Sequence, residues 1–463
     1  MVKPRLIDAY FYAIVLGSAL LFLAPIRAGE LPGYDDALYS HIAKGIALTG
    51  DWLTPSSNGF PAFEHPPLYV WIQAALFRMF GFKDAVAKLP AAISAVGCVL
   101  LVYWLARRML ADRLSAVVAI FTLATTAYFI KYAARAMTDL PFTFICLAAI
   151  CAYSLSDDDP RWLLAAGAFT ACAQMTRGLA GLALPMIFVA HVVITRRRVP
   201  MAYVAAGLAI AFAPIGLWYA YQIHRFGGLF FETHDGWLQR EVYGALTPAW
   251  RRYTGLPEYL WMISKSYWPW LPAMVVGMVA AIRNPKLRLL AVWVAGFLLI
   301  CAAARSRVLR YMLPAYPAFS ILAAMGIRRI FPERRILQGL TILVPALCVV
   351  AIVVAIHPQR TAHAAEIRPI VTASSDIPPG DRIAFYDQGV PRYDETNQLQ
   401  WYGEHPLLLL LDRASFETVL KERRPAVMIV DQDAYRDWIS GRVAHQVLVR
   451  SGHLVCVRLP AVD

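Results

Sequence analysis

Apolar runs recur along the chain near 9–27, 85–106, 114–131, 140–155, 162–176, 179–195, 201–223, 258–282, 288–304, 309–327 and 336–356. About eleven such segments approach the roughly 20 apolar residues that a helix needs to cross a bilayer. The fifth and sixth are short, and their join at Thr176-Arg177-Gly178 predicts an irregular turn. Residues 68–80 are apolar but too short to span, which predicts an interfacial or re-entrant helix. From 357 onward the period changes. Residues 382–387 and 425–432 read as strands, 415–421 and 434–439 as short helices, and 445–460 as a hairpin turning at Ser451-Gly452. The fold class expected is an α-helical polytopic membrane protein with a small C-terminal α/β domain outside the membrane. The predicted boundaries are 1–356 for the membrane domain and 357–463 for the small one.

Composition agrees. Of 463 residues, 59% are hydrophobic and 16% charged, against about 25% charged in soluble domains. The net charge of +13 does not point to nucleic acid, because the basic residues sit in short turns between apolar spans and form no long basic face. They do set an orientation. With Lys3 and Arg5 in the cytoplasm, the inside connections hold Arg107-Arg108, Arg113, Arg161, Arg196-Arg197-Arg198, Arg283, Lys286, Arg288, Arg328-Arg329 and Arg334-Arg335, as the positive-inside rule requires. The run Asp157-Asp158-Asp159 is the exception. The opposite face then receives the loops 33–84 and 226–257, the turn 305–310 and the whole tail. Poor small-residue spacing before Ala28 predicts that the first helix stays uncleaved. The seven cysteines are scattered and show neither metal-ligand spacing nor a disulfide framework.

Candidate chemistry gathers on the face with the long loops. Asp35 and Asp36 open a helix in which Leu38, Ile42 and Ile46 recur on one side. They serve as general base on an acceptor hydroxyl or phosphate, as ligands of a hard cation, or as a solvated pair that caps that helix. Glu64 and His65 precede a double proline, where a carboxylate beside an imidazole suits a metal or a phosphate, and where Pro-Pro also simply starts a helix. Asp139 stands where the fourth span begins, a natural N-cap with Arg135 four residues earlier as a partner. Arg305, Arg307 and Arg310 cluster beside Tyr311 on the side where the charge rule disfavours them. Arginines near a membrane either snorkel or pair, and guanidinium pairs well with phosphate. The aromatic residues of 226–270 fit a membrane-interface belt or sugar stacking. No P-loop, dinucleotide fingerprint or hydrolase triad order is present, so a soluble nucleotide donor is not indicated.

The stretch 33–67 carries a longer pattern: Asp35-Asp36-Ala37-Leu38-Tyr39-Ser40-His41-Ile42-Ala43, then Gly50-Asp51-Trp52, Pro55, Asn58-Gly59, Pro61, Phe63-Glu64-His65-Pro66-Pro67-Leu68 and Trp71. Asp139-Leu140-Pro141, Thr176-Arg177-Gly178, Trp268-Pro269-Trp270 and 310–317 (RYMLPAYP) continue it. Across about residues 1–330 the chain resembles the GT-C glycosyltransferases that use polyprenyl-phosphate sugars, nearest to lipid A aminoarabinose transferases and the related protein mannosyltransferase-like enzymes. His65 stands where the aminoarabinose transferases carry Lys, and Asp36 where they carry Glu. His234 and Arg240 are spaced more widely than the family's His and Arg. The resemblance implies a GT-C fold in a bacterial inner membrane, with the site and tail on the periplasmic side. It implies a polyprenyl-phosphate sugar donor, a lipid or glycan acceptor such as lipid A, and transfer with inversion by a monomer. Asp35 becomes the general base or acceptor-positioning acid, with Asp139 and Asp36 supporting it. Arg305, Arg307, Arg310, His65 and Tyr311 hold the donor phosphate, and Glu64 ligates a divalent metal (zinc, magnesium or manganese). A transporter or flippase of a lipid-linked sugar, or a lipid-binding relative without catalysis, is the alternative from another class.

Overall fold

The computed structural model describes residues 4–233, 255–304, 307–357, 362–378, 381–386 and 393–460. The chain divides into two compact units. The first comprises residues 1–27, 63–72 and 88–359; the second comprises 28–62, 73–87 and 360–463. The loop 33–84 is therefore divided between them, and most of it clusters with the tail.

The first unit is a helical bundle. Six helices are long and apolar enough to cross a membrane, or seven if Arg113–Ala124 and Ala127–Ala133, bent by 66° at their break, form one span. Helix occupies each of the eleven expected segments, but several are too short to count alone. Asp139–Leu155 and Leu271–Arg283 run 17 and 13 residues. The fifth and sixth segments join into one 34-residue run, Trp162–Thr195, interrupted by a 3-10 turn at Gly178–Leu182 where the sequence predicts irregularity. Two helix pairs approach closely through glycines. A Cβ on Gly277 would overlap the Leu322 backbone and one on Gly326 the Ala273 backbone, joining Leu271–Arg283 to Tyr316–Ile330. Gly167 and Gly207 join Trp162–Arg177 to Met201–Phe226 in the same way. Small residues allow such contact where lipid offers no hydrophobic drive between helices. The acidic exception among the basic turns has a purpose: Asp157 meets Arg197 at 3.1 Å and Asp158 meets Arg108 at 2.7 Å.

The second unit is built on a five-stranded mixed sheet. After the short hairpin β1 (Ser56–Ser57) and β2 (Phe60–Pro61) come β3 (Ile383–Tyr386), β4 (Leu407–Leu410), β5 (Val427–Asp431), β6 (Gln446–Ser451) and β7 (Leu454–Arg458). The sheet order is β4-β3-β5-β7-β6. The β3 pairings to β4 and β5 are parallel, and the remaining two are antiparallel. Strand β5 shows why both faces are covered. Val427 and Ile429 join Ile367 and Ile370 on one side, whereas Met428 and Val430 join Phe416, Val419 and Ile439 on the other. An apolar run without polar alternation is what a doubly covered strand looks like. Strands β3, β5 and the β6–β7 hairpin lie where the sequence places them. Strand β4 and the helix Tyr393–Tyr402 were not foreseen.

Candidate active site

In the first unit, Asp139 occupies the first turn of Asp139–Leu155, and the N-cap position belongs to Thr138, which makes no side-chain capping bond. The expected capping role is therefore corrected. The carboxylate turns instead to the end of the next helix, where Arg177 Nη1 donates to Oδ1 at 2.9 Å. Arg177, and not the expected Arg135, is the ion-pair partner. The pair is buried, with side chains 1% and 9% exposed. Asp139 Oδ2 is buried as well and has no hydrogen-bond partner among the described residues.

Aromatic rings extend this pair. Arg177 lies 5.1 Å from the ring centre of Tyr311 and 5.8 Å from that of Phe142. Arg310 lies 5.7 Å from the same Tyr311 ring. One tyrosine face system thus gathers two guanidinium groups, an arrangement in which each cation is stabilised by the ring quadrupole. Two forked cations against one ring suit a phosphate better than a neutral ligand. Arg307, expected beside them, donates to Glu258 at 2.8 Å, so a bound phosphate would share it with that carboxylate. Arg305 lies outside the described residues, as do His234 and Arg240 of the middle loop.

The Glu64-His65 turn is pinned from both ends in the same unit. Phe63 is fully buried, with the rings of Phe226 and Phe230 at 5.3 and 5.1 Å. Leu68 and Trp71 pack against Met175, Ile215 and Trp218. Gly178, at φ 54°, comes against Pro66: a Cβ there would meet Pro66 Cδ at 3.5 Å. That left-handed backbone favours glycine. The structure therefore brings the Glu-His-Pro-Pro turn and the Thr-Arg-Gly turn side by side, which no spacing in the sequence reveals. Glu64 and His65 themselves are half-buried. Among the described residues no group of three or more His, Cys, Asp or Glu side chains could hold a metal ion. The described residues alone thus supply fewer than the three protein ligands of a zinc site.

Asp35 and Asp36 belong to the second unit. They form the first turn of Asp35–Thr49, behind the N-cap residue Tyr34, which makes no side-chain capping bond. Neither aspartate is the cap, although carboxylates at this end are favoured by the helix dipole. Asp36 is completely buried and Asp35 half-buried. Further along, several motif residues act as scaffold. Gly50 ends the helix at φ 77°. Asp51 Oδ1 accepts from the Leu53 and Thr54 N–H groups at 3.2 and 3.0 Å. Asn58 accepts from Leu407 N at 2.9 Å and donates to Leu407 O at 2.8 Å, pairing with the edge of the sheet as a strand would. On the same helix, burial first and the neighbouring Lys44 second lower the pKa of His41 to about 4. Lys44 is itself lowered by burial, with Glu404 opposing the shift.

The family described as dolichyl-phosphate-mannose-protein mannosyltransferase matches residues 64–218, a stretch that starts at Glu64 and includes Asp139 and Arg177. The undecaprenyl phosphate-alpha-4-amino-4-deoxy-L-arabinose arabinosyl transferase of Shewanella sediminis is 25% identical over 330 residues, covering 68% of this chain and 59% of that protein. The protein of the same name from Edwardsiella ictaluri is 25% identical over 354 residues, 70% of this chain and 60% of its own. The chain thus spans about three fifths of the length of these relatives. Among solved structures, ArnT from Cupriavidus metallidurans bound to undecaprenyl phosphate superposes with TM-score 0.76 at 19% identity, covering 97% of both chains; its apo form gives 0.75. The fold is the GT-C fold of ArnT, and the chain resembles the aminoarabinose transferases in sequence as well.

Proposed function

We propose that this protein is a membrane glycosyltransferase that moves a sugar from a polyprenyl-phosphate donor to an acceptor such as lipid A. The observation that carries the reading is the buried Asp139–Arg177 pair beside Tyr311 and Arg310, set against the Glu-His-Pro-Pro turn. Relatives bearing the name undecaprenyl phosphate-aminoarabinose arabinosyl transferase support it.

In this reading Asp35 takes the proton of the acceptor hydroxyl as its oxygen attacks the anomeric carbon, with Asp36 and Asp139 supporting. The bond from that carbon to the phosphate oxygen breaks on the opposite face, so configuration inverts, and the phosphate leaves with the electron pair. The leaving group already carries charge and needs electrostatic stabilisation more than a proton. Arg310, Arg307, Arg305, Tyr311 and His65 supply it, and Arg177 holds the Asp139 carboxylate in place through their ion pair. A divalent metal at Glu64 is compatible with magnesium or manganese, which complete their shell with water and phosphate oxygens around one or two carboxylates; the step does not run through it. All eleven apolar segments cross the inner membrane, the shorter ones as spans completed by their neighbours. The reacting face and the tail are periplasmic, where a lipid-linked donor replaces the nucleotide sugars that side lacks. The working form is a monomer.

Mass spectrometry of envelope lipids from cells with and without the protein tests this reading. One added sugar mass on an outer lipid, accompanied by acceptor-dependent release of free polyprenyl phosphate from the purified protein, is the expected result. Translocation of an intact donor without release would replace the transferase with a transporter.

A further inference from the structure

The helix Tyr393–Tyr402 has an unusual burial pattern. Thr396, Asn397, Gln398 and Gln400 are polar, yet they are 4–6% exposed. Buried amides persist where they are hydrogen-bonded, and several of the partners here are backbone groups of residues 31–34. Gln398 Nε2 donates to Leu31 O at 2.9 Å and to His363 O at 3.1 Å. Asn397 Nδ2 donates to Tyr34 O at 3.3 Å, the carbonyl that also accepts the first bond of the Asp35–Thr49 helix, from Leu38 N. Leu31 N donates to the Tyr402 hydroxyl at 2.8 Å. Gly33 lies so close to Asp394 that a Cβ would overlap its backbone. At the far end, Lys44 Nζ donates to the carbonyls of Trp401 and Gly403 at 3.1 and 2.9 Å, where a cation is favoured by the helix terminus. Asp84 accepts from Trp401 Nε1 at 2.8 Å and from the Tyr402 hydroxyl at 3.2 Å.

Both sides of Asp35 are thus tied to one helix of the tail. We propose that Tyr393–Tyr402 is a clamp that fixes residues 31–34 and with them the carboxylate of Asp35, making Asn397, Gln398 and Tyr402 positioning residues for sugar transfer. The catalytic half of this inference rests on Asp35 being the base. The tail is then no accessory domain but the support of the first loop. Hydrogen bonds to loop carbonyls at residues 31 and 34 hold the backbone where water would leave it mobile. A misplacement of about 1 Å at a reacting group can cost on the order of 10²-fold in rate.

The test uses full-length protein with Asn397→Leu and Gln398→Met together, and separately Gly33→Ala, which disturbs the contact without touching an amide. Hydrogen exchange is expected to rise over residues 28–40 while the strands β3, β5 and β7 keep their protection. Turnover should fall at least about 10-fold with the donor KM changed by less than about two-fold. Gln398→Glu, which keeps the shape but lacks the donor, should behave like the double variant. Unchanged exchange at 28–40 overturns the clamp, and so does exchange that rises equally across the sheet. If wild type transfers no sugar, the reading of Asp35 fails, while the exchange experiment still decides the clamp.

Discussion

Asp139 shows what a single residue conceals in sequence. Its place at the head of an apolar helix suggests an N-cap, and the nearest cation along the chain is Arg135. The actual partner is 38 residues away, at the turn that joins the fifth and sixth apolar segments, where nothing in the spacing points back to Asp139. Removing one member of a buried pair strands the other charge, which typically costs about 3–5 kcal/mol. Arg177→Met should lower the melting temperature clearly and abolish transfer, as thermal denaturation and a turnover assay on one preparation would show. Asp139→Asn with Arg177→Met should recover much of the stability but not the activity. His41 provides a second prediction. The folded chain keeps it neutral down to about pH 4, whereas an unfolded histidine takes up a proton near 6.5. Between those values the unfolded chain binds more protons, so stability is full above about pH 6.5 and falls as pH drops toward 4. His41→Gln should flatten that slope in melting curves recorded from pH 7.5 to 4.5.

At the level of elements, the apolar segments were readable because a bilayer imposes length and hydrophobicity together. The number of spans was harder to read, since Asp139–Leu155 and Leu271–Arg283 are short and rely on neighbours. Close glycine contacts show how: Leu271–Arg283 is held against Tyr316–Ile330 with no side chain between them at Gly277 and Gly326. Gly326→Leu should push the pair apart and yield protein with reduced thermal stability in detergent, whereas Gly339→Leu, where a Cβ meets nothing within 4 Å, should not. In the tail, 407–410 is a run of four leucines that pattern alone does not assign to strand or helix. The Tyr393–Tyr402 helix was missed for another reason. Its polar face answers to loop backbone far away in sequence, so no amphipathic period betrays it.

For the whole molecule, the sequence gathers candidate chemistry on the face with the long loops, with Asp35, Glu64 and His65 all in the first of them. The structure refines that grouping. Residues 63–67 belong with the helical bundle and with Arg177, while residues 35–62 belong with the tail sheet. The family-like motif is therefore a composite of candidate chemistry (Asp35, Glu64, His65) and scaffold (Gly50, Asp51, Asn58). Of the arginines, Arg310 and Arg177 share one tyrosine, and Arg307 is engaged by Glu258. Arg310→Ala should therefore weaken binding of a polyprenyl phosphate more than Arg307→Ala does, as tryptophan fluorescence titration would show. The most direct test of the account measures free polyprenyl phosphate released by purified wild type and Asp35→Asn, given a polyprenyl-phosphate sugar and a lipid acceptor. The account predicts acceptor-dependent release from wild type and a loss of about 10²–10⁴-fold in the variant, the usual contribution of a general base. Equal release from both proteins would contradict it.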